Sequence, residues 1–337
     1  MAYGSRIHAV LSVVGALAIL ALVGCQPAAT SSSAASASGS AGAATTIAVV
    51  GDTPVIGASD LGDGHYSYTL SAAYFVADGV RHAYVVGFAQ ASGDEEVFHA
   101  TSPDGLAWEI DGDLPFAELG LELSPPGPIP GSVIQGDDGI WIMYLWGVPA
   151  PQSAGAVIYR ATASSPAGPW VADPEPVLLL GEAGAWDSAG IDFPAVLPTS
   201  DGYLMLYGGQ NNTDTTSIGV ATSDDGITWT KDLEPVLEAD SCGKPGAQYA
   251  ALPRLMPADD GYLLLFDQDR ETAMATSSDG HAWTCTGPEP LLVAENVPNG
   301  QGIHTFAATE IDGEVSVLME SLVEGASEIW LGELQTP

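Results

Sequence analysis

Seven side chains in three short stretches have types that could handle a hydroxylated ligand. Trp186, Asp187 and Asp192 lie in "WDSAGIDFPAVL", Gln248, Tyr249 and Arg254 in "GAQYAALPRLM", and His304 in "GQGIHTFAATEI". A carboxyl can donate or accept a proton, or hold a hydroxyl. An aromatic platform flanked by a few fixed polar groups is the usual make-up of a small-molecule site. Three of these residues also have a plainer reading. Asp192 could be a turn residue at a strand start. His304 could orient a ligand or a central water, or be a satisfied core histidine. Arg254, if buried in a chain with so few cations, needs a carboxylate partner such as Asp192 or another acid, and that pairing could be structural or functional. Asp187 could pair with Asp192, although five residues across a bend make a poor dyad.

The elements that must position these groups are written as a repeat. "HATSPDGLAW", "RATASSPAGPW", "ATSDDGITW" and "MATSSDGHAW" end at Trp108, Trp170, Trp229 and Trp283. A second phrase carries Pro115, Pro176, Pro235 and Pro290, and occurs once more, ahead of the first tryptophan, as "TPVIG" at Pro54. A third, apolar phrase precedes each tryptophan block, as in "HAYVVGFAQ" from His82 and "YLLLFDQ" from Tyr262, with a fifth copy, "VSVLMES", from Val315. Asp-Gly between alternating apolar runs signals a hairpin. Four short strands recurring at about 50 to 60 residues, with no sustained helical period, predict a propeller. The fold class expected is all-β: a five-bladed β-propeller of four-stranded antiparallel blades. The fifth unit lacks its Pro phrase at the C-terminus, so Thr46–Ile56 is expected to complete the last blade and close the ring. Asp104, Asp225 and Asp279 are expected to bond nearby backbone in their turns, and the tryptophans to pack between sheets rather than form a ligand stripe. The acid pairs Asp137-Asp138, Asp224-Asp225 and Asp259-Asp260 read as solvated turns rather than calcium sites.

Ahead of the repeat, residues 1–24 read as a lipoprotein signal peptide: a weakly positive start, a short apolar run from Ala9 to Val23, then "LVGC" ending at Cys25. Cleavage before Cys25 and its lipidation would leave a protein anchored to the membrane by that lipid alone, on the extracytoplasmic side of a bacterial cell envelope. Residues 25–45 read as a flexible Ala/Ser linker and 46–337 as the propeller. The chain carries 43 acidic residues against 7 basic ones, a net charge of −36. Such a surface repels phosphate backbones and polyanionic glycans, so no nucleic-acid partner is expected. No cofactor and no metal are expected, and with no oligomer signal a monomer is. The two remaining cysteines, Cys242 and Cys285, are expected to bridge outside the cytoplasm; two cysteines without nearby histidine make a poor metal site.

The segments Ala161–Trp170 and Ala221–Trp229 resemble parts of five-bladed glycoside hydrolases of families 43, 62 and 32 and of related mannoside phosphorylases. The resemblance covers the repeat region as a pattern, through turn and packing motifs. It implies that the first strand of each blade lines a channel whose mouth binds a carbohydrate, here a neutral oligosaccharide or glycoside. "IDFP", Ile191 to Pro194, resembles the Ile-Glu-x-Pro stretch that carries the general acid on the third blade of family 43, with Asp192 in place of Glu. The resemblance also implies a base on the first blade and a tuning Asp on the second. Neither "SYTLSAAYF" nor "PIPGSVIQ" contains an acid, and Asp60 and Asp63 are the nearest substitutes. Without that base, hydrolysis by two flanking carboxylates lacks a member. A glycan-binding or scaffold propeller that lost its acids is the alternative. The sialidase pattern differs: its turn motif separates Asp from Gly, and it needs an arginine cluster for which few arginines are at hand.

Overall fold

The computed structural model describes residues 45–62, 66–89, 95–113, 119–151, 155–211, 213, 215–287, 290–292, 297, 303–323 and 326–336. For 58, 66–71, 88–89, 112–113, 126, 303–304, 322–323 and 326 it describes the backbone alone. The signal peptide, Cys25, the linker, Asp63 and the Pro115 phrase lie outside the described residues.

Thr46–Gln335 forms one compact unit. The chain enters it through β1 (Thr46–Val49) and β2 (Ile56–Gly57). Four blades follow, each a four-stranded antiparallel sheet. The first holds β3 (Tyr66–Ala77), β4 (Val80–Ala89), β5 (Glu95–Ser102) and β6 (Glu109–Asp113); the second β7 (Leu123–Gln135), β8 (Trp141–Pro149), β9 (Val157–Ala163) and β10 (Val171–Ala172). The third holds β11 (Gly190–Thr199), β12 (Gly202–Gln210), β13 (Thr216–Ser223) and β14 (Thr230–Lys231); the fourth β15 (Ala250–Ala258), β16 (Gly261–Gln268), β17 (Glu271–Ser277) and β18 (Thr284–Cys285). The fifth has β19 (Ile303–Ile311), β20 (Glu314–Val323) and β21 (Ala326–Gln335), and takes its outer strand from the other end of the chain. β1 pairs with β21 from Thr46↔Gln335 to Val49↔Gly332, and β2 pairs with it at Ile56↔Ile329. The first strands β3, β7, β11, β15 and β19 contact one another in turn around the ring.

The Pro phrase does the same job in the four copies that lie among the described residues. Leu178 bridges Ile158, Leu237 bridges Ile218, and Leu292 bridges Thr272, each extending an outer edge beyond a two-residue fourth strand. Ile56 makes the same kind of contact with Ile329. The surplus copy at Pro54 is therefore the missing piece of the fifth blade, as its position in the sequence predicts.

Both faces of each sheet are apolar because both meet a neighbouring blade. Phe75, Tyr84, Trp141, Trp146 and Tyr207 belong to a core shared by the first three blades. Leu206, Ile218 and Phe266 fill the gap between the third and fourth. Met256, Leu265, Phe306 and Met319 fill that between the fourth and fifth, and Tyr74, Val85, Leu318 and Ile329 that between the fifth and first.

The Asp-Gly turns hold as expected. Leu106 and Ala107 donate to Asp104 at 2.8 and 3.1 Å, and the same pair of bonds recurs at Asp225 and Asp279. The tryptophans pack between sheets: Trp170 edges onto Tyr84 and Trp229 onto Tyr144.

Candidate functional site

The starts of the five first strands define one mouth of the ring, with the Asp-Gly turns at the opposite end. β11 and β15 begin alike. In β11, Asp192 pairs with Gly208 and the register then shifts to Ala195↔Leu206. In β15, Ala251 pairs with Asp267 and shifts to Arg254↔Leu265. The residue after each pair, Phe193 at φ 44° and Leu252 at φ 53°, lies in the left-handed region, followed by Pro194 or Pro253. Bulky residues pay a steric cost there, and bulges and strained backbone of this kind cluster where side chains must be re-aimed. The bulge turns Phe193 onto Trp146 of the second blade, ring centroids 5.2 Å apart.

Asp192 sits on the side of blade three that faces blade four, with its Oδ1 over Gly208, and part of its surface is open. Among the described residues no group donates a hydrogen bond to it. Burial pushes its carboxyl up to about 7, and among the described residues no neighbouring charge contributes. At neutral pH the group is therefore poised between donor and acceptor.

Asp187 does not join it. The side chains of Gly208 and Gly209 would point to opposite faces of β12, and Asp187 lies beside Gly209. It is 3% exposed and takes bonds from Lys231 Nζ at 2.6 Å and the Tyr207 hydroxyl at 3.2 Å. Lys231 also donates to the Leu179 carbonyl; burial pulls its pKa down, against the Asp187 carboxylate. Asp187 and Asp192 therefore do not form even the poor dyad that the sequence allows: a sheet separates them. Trp186 is on the Asp187 side, stacked on Tyr207 at 5.7 Å with part of its surface exposed.

Arg254 also departs from expectation. It is 4% exposed but has no carboxylate partner among the described residues. Its Nε donates to Phe306 O at 2.7 Å and its Nη1 to Pro253 O at 3.2 Å, and the guanidinium lies over the Phe306 ring. It faces blade five, whereas Asp192 faces blade four from the other side, which is why they do not meet. Burial lowers Arg254 to about 10. Gln248 is exposed and Tyr249 half-buried, and both backbone N–H groups donate to Asp269 Oδ1 at 3.0 Å. The side chain of His304 lies outside the described residues. Asp60, a suggested substitute base, is a local cap: Gly57 N donates to its Oδ2 at 2.7 Å.

Three carboxyls escaped the sequence reading because they lie on second and third strands. Glu95 takes a bond from Gly127 N at 2.5 Å, Asp267 one from Arg270 N at 3.0 Å. Glu320, fully buried, accepts from Thr305 Oγ1 at 2.9 Å and Ser327 Oγ at 2.5 Å. Burial pushes each up to about 7. An acid closing an apolar run, as in "LLLFDQ" and "VLMES", was the available signal. Cys242 and Cys285 form the expected disulfide, Cα atoms 5.4 Å apart. Among the described residues no group of three His, Cys, Asp or Glu side chains could hold a metal ion.

No family model matches the chain, and no curated protein sequence does. Solved structures do. A thermostable family-43 glycoside hydrolase superposes with a TM-score of 0.62 at 14% identity, covering 80% of this chain and 93% of that one. A GH43_1 enzyme from Xanthomonas citri complexed with xylose gives 0.62 at 17%, covering 85% and 90%. A family 117 glycoside hydrolase from the marine bacterium Zobellia galactanivorans gives 0.60 at 16%, covering 86% and 90%. The chain has the five-bladed fold of these glycoside hydrolases.

Proposed function

We propose that this chain is an exported, lipid-anchored, glycosidase-like propeller that binds a neutral oligosaccharide or glycoside at the mouth, with Asp192 as its acid. The observation that carries the reading is the placement of Asp192: a partly open carboxyl near the start of β11 with no hydrogen-bond donor among the described residues, raised to about 7 by burial. A carboxyl so placed can protonate a leaving oxygen or bond a sugar hydroxyl. Gln248, Tyr249 and His304 are the proposed ligand contacts, and the glycoside-hydrolase fold supports the ligand class. The "LVGC" stretch supports the anchor.

A second reading, a glycan receptor without hydrolysis, is favoured by one observation. Among the described residues no other charged group acts on Asp192, whereas hydrolysis by the usual route needs a second carboxylate about 5 to 9.5 Å away. The test is calorimetric titration of the soluble unit from Thr46 against neutral oligosaccharides, with product analysis of the same samples. Cleavage abolished by Asp192→Asn establishes the enzyme. Binding without cleavage, weakened by Asp192→Asn, establishes the receptor. No binding across the panel sinks both.

A further inference from the structure

Gly208 and Gly209 are consecutive in β12, and neither has the left-handed backbone that calls for glycine. Glycine weakens a strand interior, and where the backbone does not demand it, it marks a close approach by something else. At Gly209 the approaching group is the Trp186 ring: a Cβ there would fall 2.3 Å from Trp186 Cζ3. At Gly208 it is Asp192, to which the three nearest atoms all belong. A Cβ would fall 2.2 Å from Asp192 Oδ1, and the next nearest atoms, at 3.5 and 3.6 Å, are Asp192 Cγ and Asp192 O. No hydrogen-bond donor among the described residues holds the carboxyl where it is; the absent side chain leaves it the room.

We propose that Gly208 is a positioning residue whose missing side chain forms the seat of the Asp192 carboxyl and so fixes where that carboxyl meets a ligand. The proposal rests on reading Asp192 as the acid of the site. An alanine at 208 turns the carboxyl out of its seat towards water and leaves the backbone of β12 unchanged.

The test is the titration of Asp192 in the full chain in detergent micelles, with carboxyl-labelled aspartate and the signal assigned by its loss in Asp192→Asn. The wild-type midpoint is expected near 7. In Gly208→Ala it is expected to fall by about one unit or more, towards the ordinary carboxylate value. In Gly209→Ala, where the clash is with Trp186, it is expected to stay. An unmoved midpoint in Gly208→Ala, or an equal fall in Gly209→Ala, overturns the proposal. If Gly208→Ala does not fold, the double variant with Asp192→Ala removes the clashing oxygen: recovery of folding supports the seat, and continued failure overturns it. The titration needs no sugar, so its outcome is separate from that of the binding panel.

Discussion

Burial of single ionisable groups sets the acid–base behaviour of this protein. Asp192, Glu95, Asp267 and Glu320 are each raised to about 7 by desolvation. Between the ordinary carboxylate value and 7 the folded chain holds protons that the unfolded chain has released. Stability therefore falls as pH rises through that window, and the full cost is present above it. His82 and His99 act the other way. His82 is lowered to about 4, chiefly by burial, and His99 is lowered for the same reason. They are linked in a relay, with a nitrogen–nitrogen contact of 2.9 Å and His99 held by Asp111 at 2.8 Å. The unfolded chain takes up their protons first, so their contribution is lost as pH falls below about 6.5. Four carboxyls outweigh two imidazoles. The melting temperature is expected to be higher at pH 5 than at pH 8; calorimetry showing the reverse order counts against the buried carboxyls. That Asp192 lies near the start of a blade's first strand was legible in the repeat. The separation of Asp192 from Asp187 was not, because Asp187 lies in the turns that precede β11, where strand alternation does not say which face a side chain takes.

Among the elements, the Asp-Gly turns were the most legible and their variation the least. In blades one and four the turn tryptophan closes on its own turn: Trp108 Nε1 donates to Gly105 O at 2.8 Å, and Trp283 Nε1 to Gly280 O at 2.9 Å. In blade three a tyrosine of the preceding blade takes that place. Tyr144 donates to Gly226 O at 2.8 Å, and the buried Trp229 Nε1 is left without a partner. In blade two the two are in series, Trp170 donating to the Tyr84 hydroxyl at 2.8 Å and Tyr84 to Pro166 O at 2.6 Å. A repeat read along the chain could not show that two of the turns are finished by a tyrosine 82 residues away on the preceding blade. The two tyrosines should respond differently to loss of the hydroxyl. Tyr84→Phe strands both Trp170 Nε1 and Pro166 O and is expected to cost about 2 kcal/mol or more. Tyr144→Phe frees Gly226 O for Trp229 and is expected to cost well under about 1 kcal/mol. Urea unfolding of the two variants side by side checks the order, and equal losses would mean that the turns do not exchange partners in this way.

At the scale of the whole molecule, the number of blades and the way the ring closes were both legible, because one phrase appeared at the wrong end of the chain. The closure is a strand in register from Thr46↔Gln335 to Val49↔Gly332, joined by Ile56↔Ile329. Without it β21 becomes a bare edge, open to pairing with other chains. A chain beginning after Ile56 is expected to lose cooperative melting and to aggregate; sedimentation showing a stable monomer with an unchanged transition would mean that the ring does not depend on its latch. The direction of β1 has a mechanical consequence. β1 runs from the end that carries the Asp-Gly turns towards the mouth, so Thr46 lies on the face opposite Asp192. Anything that pulls on the chain upstream of Thr46 pulls along the axis of β1. The load is then shared as shear across all the β1–β21 hydrogen bonds rather than peeling them one at a time.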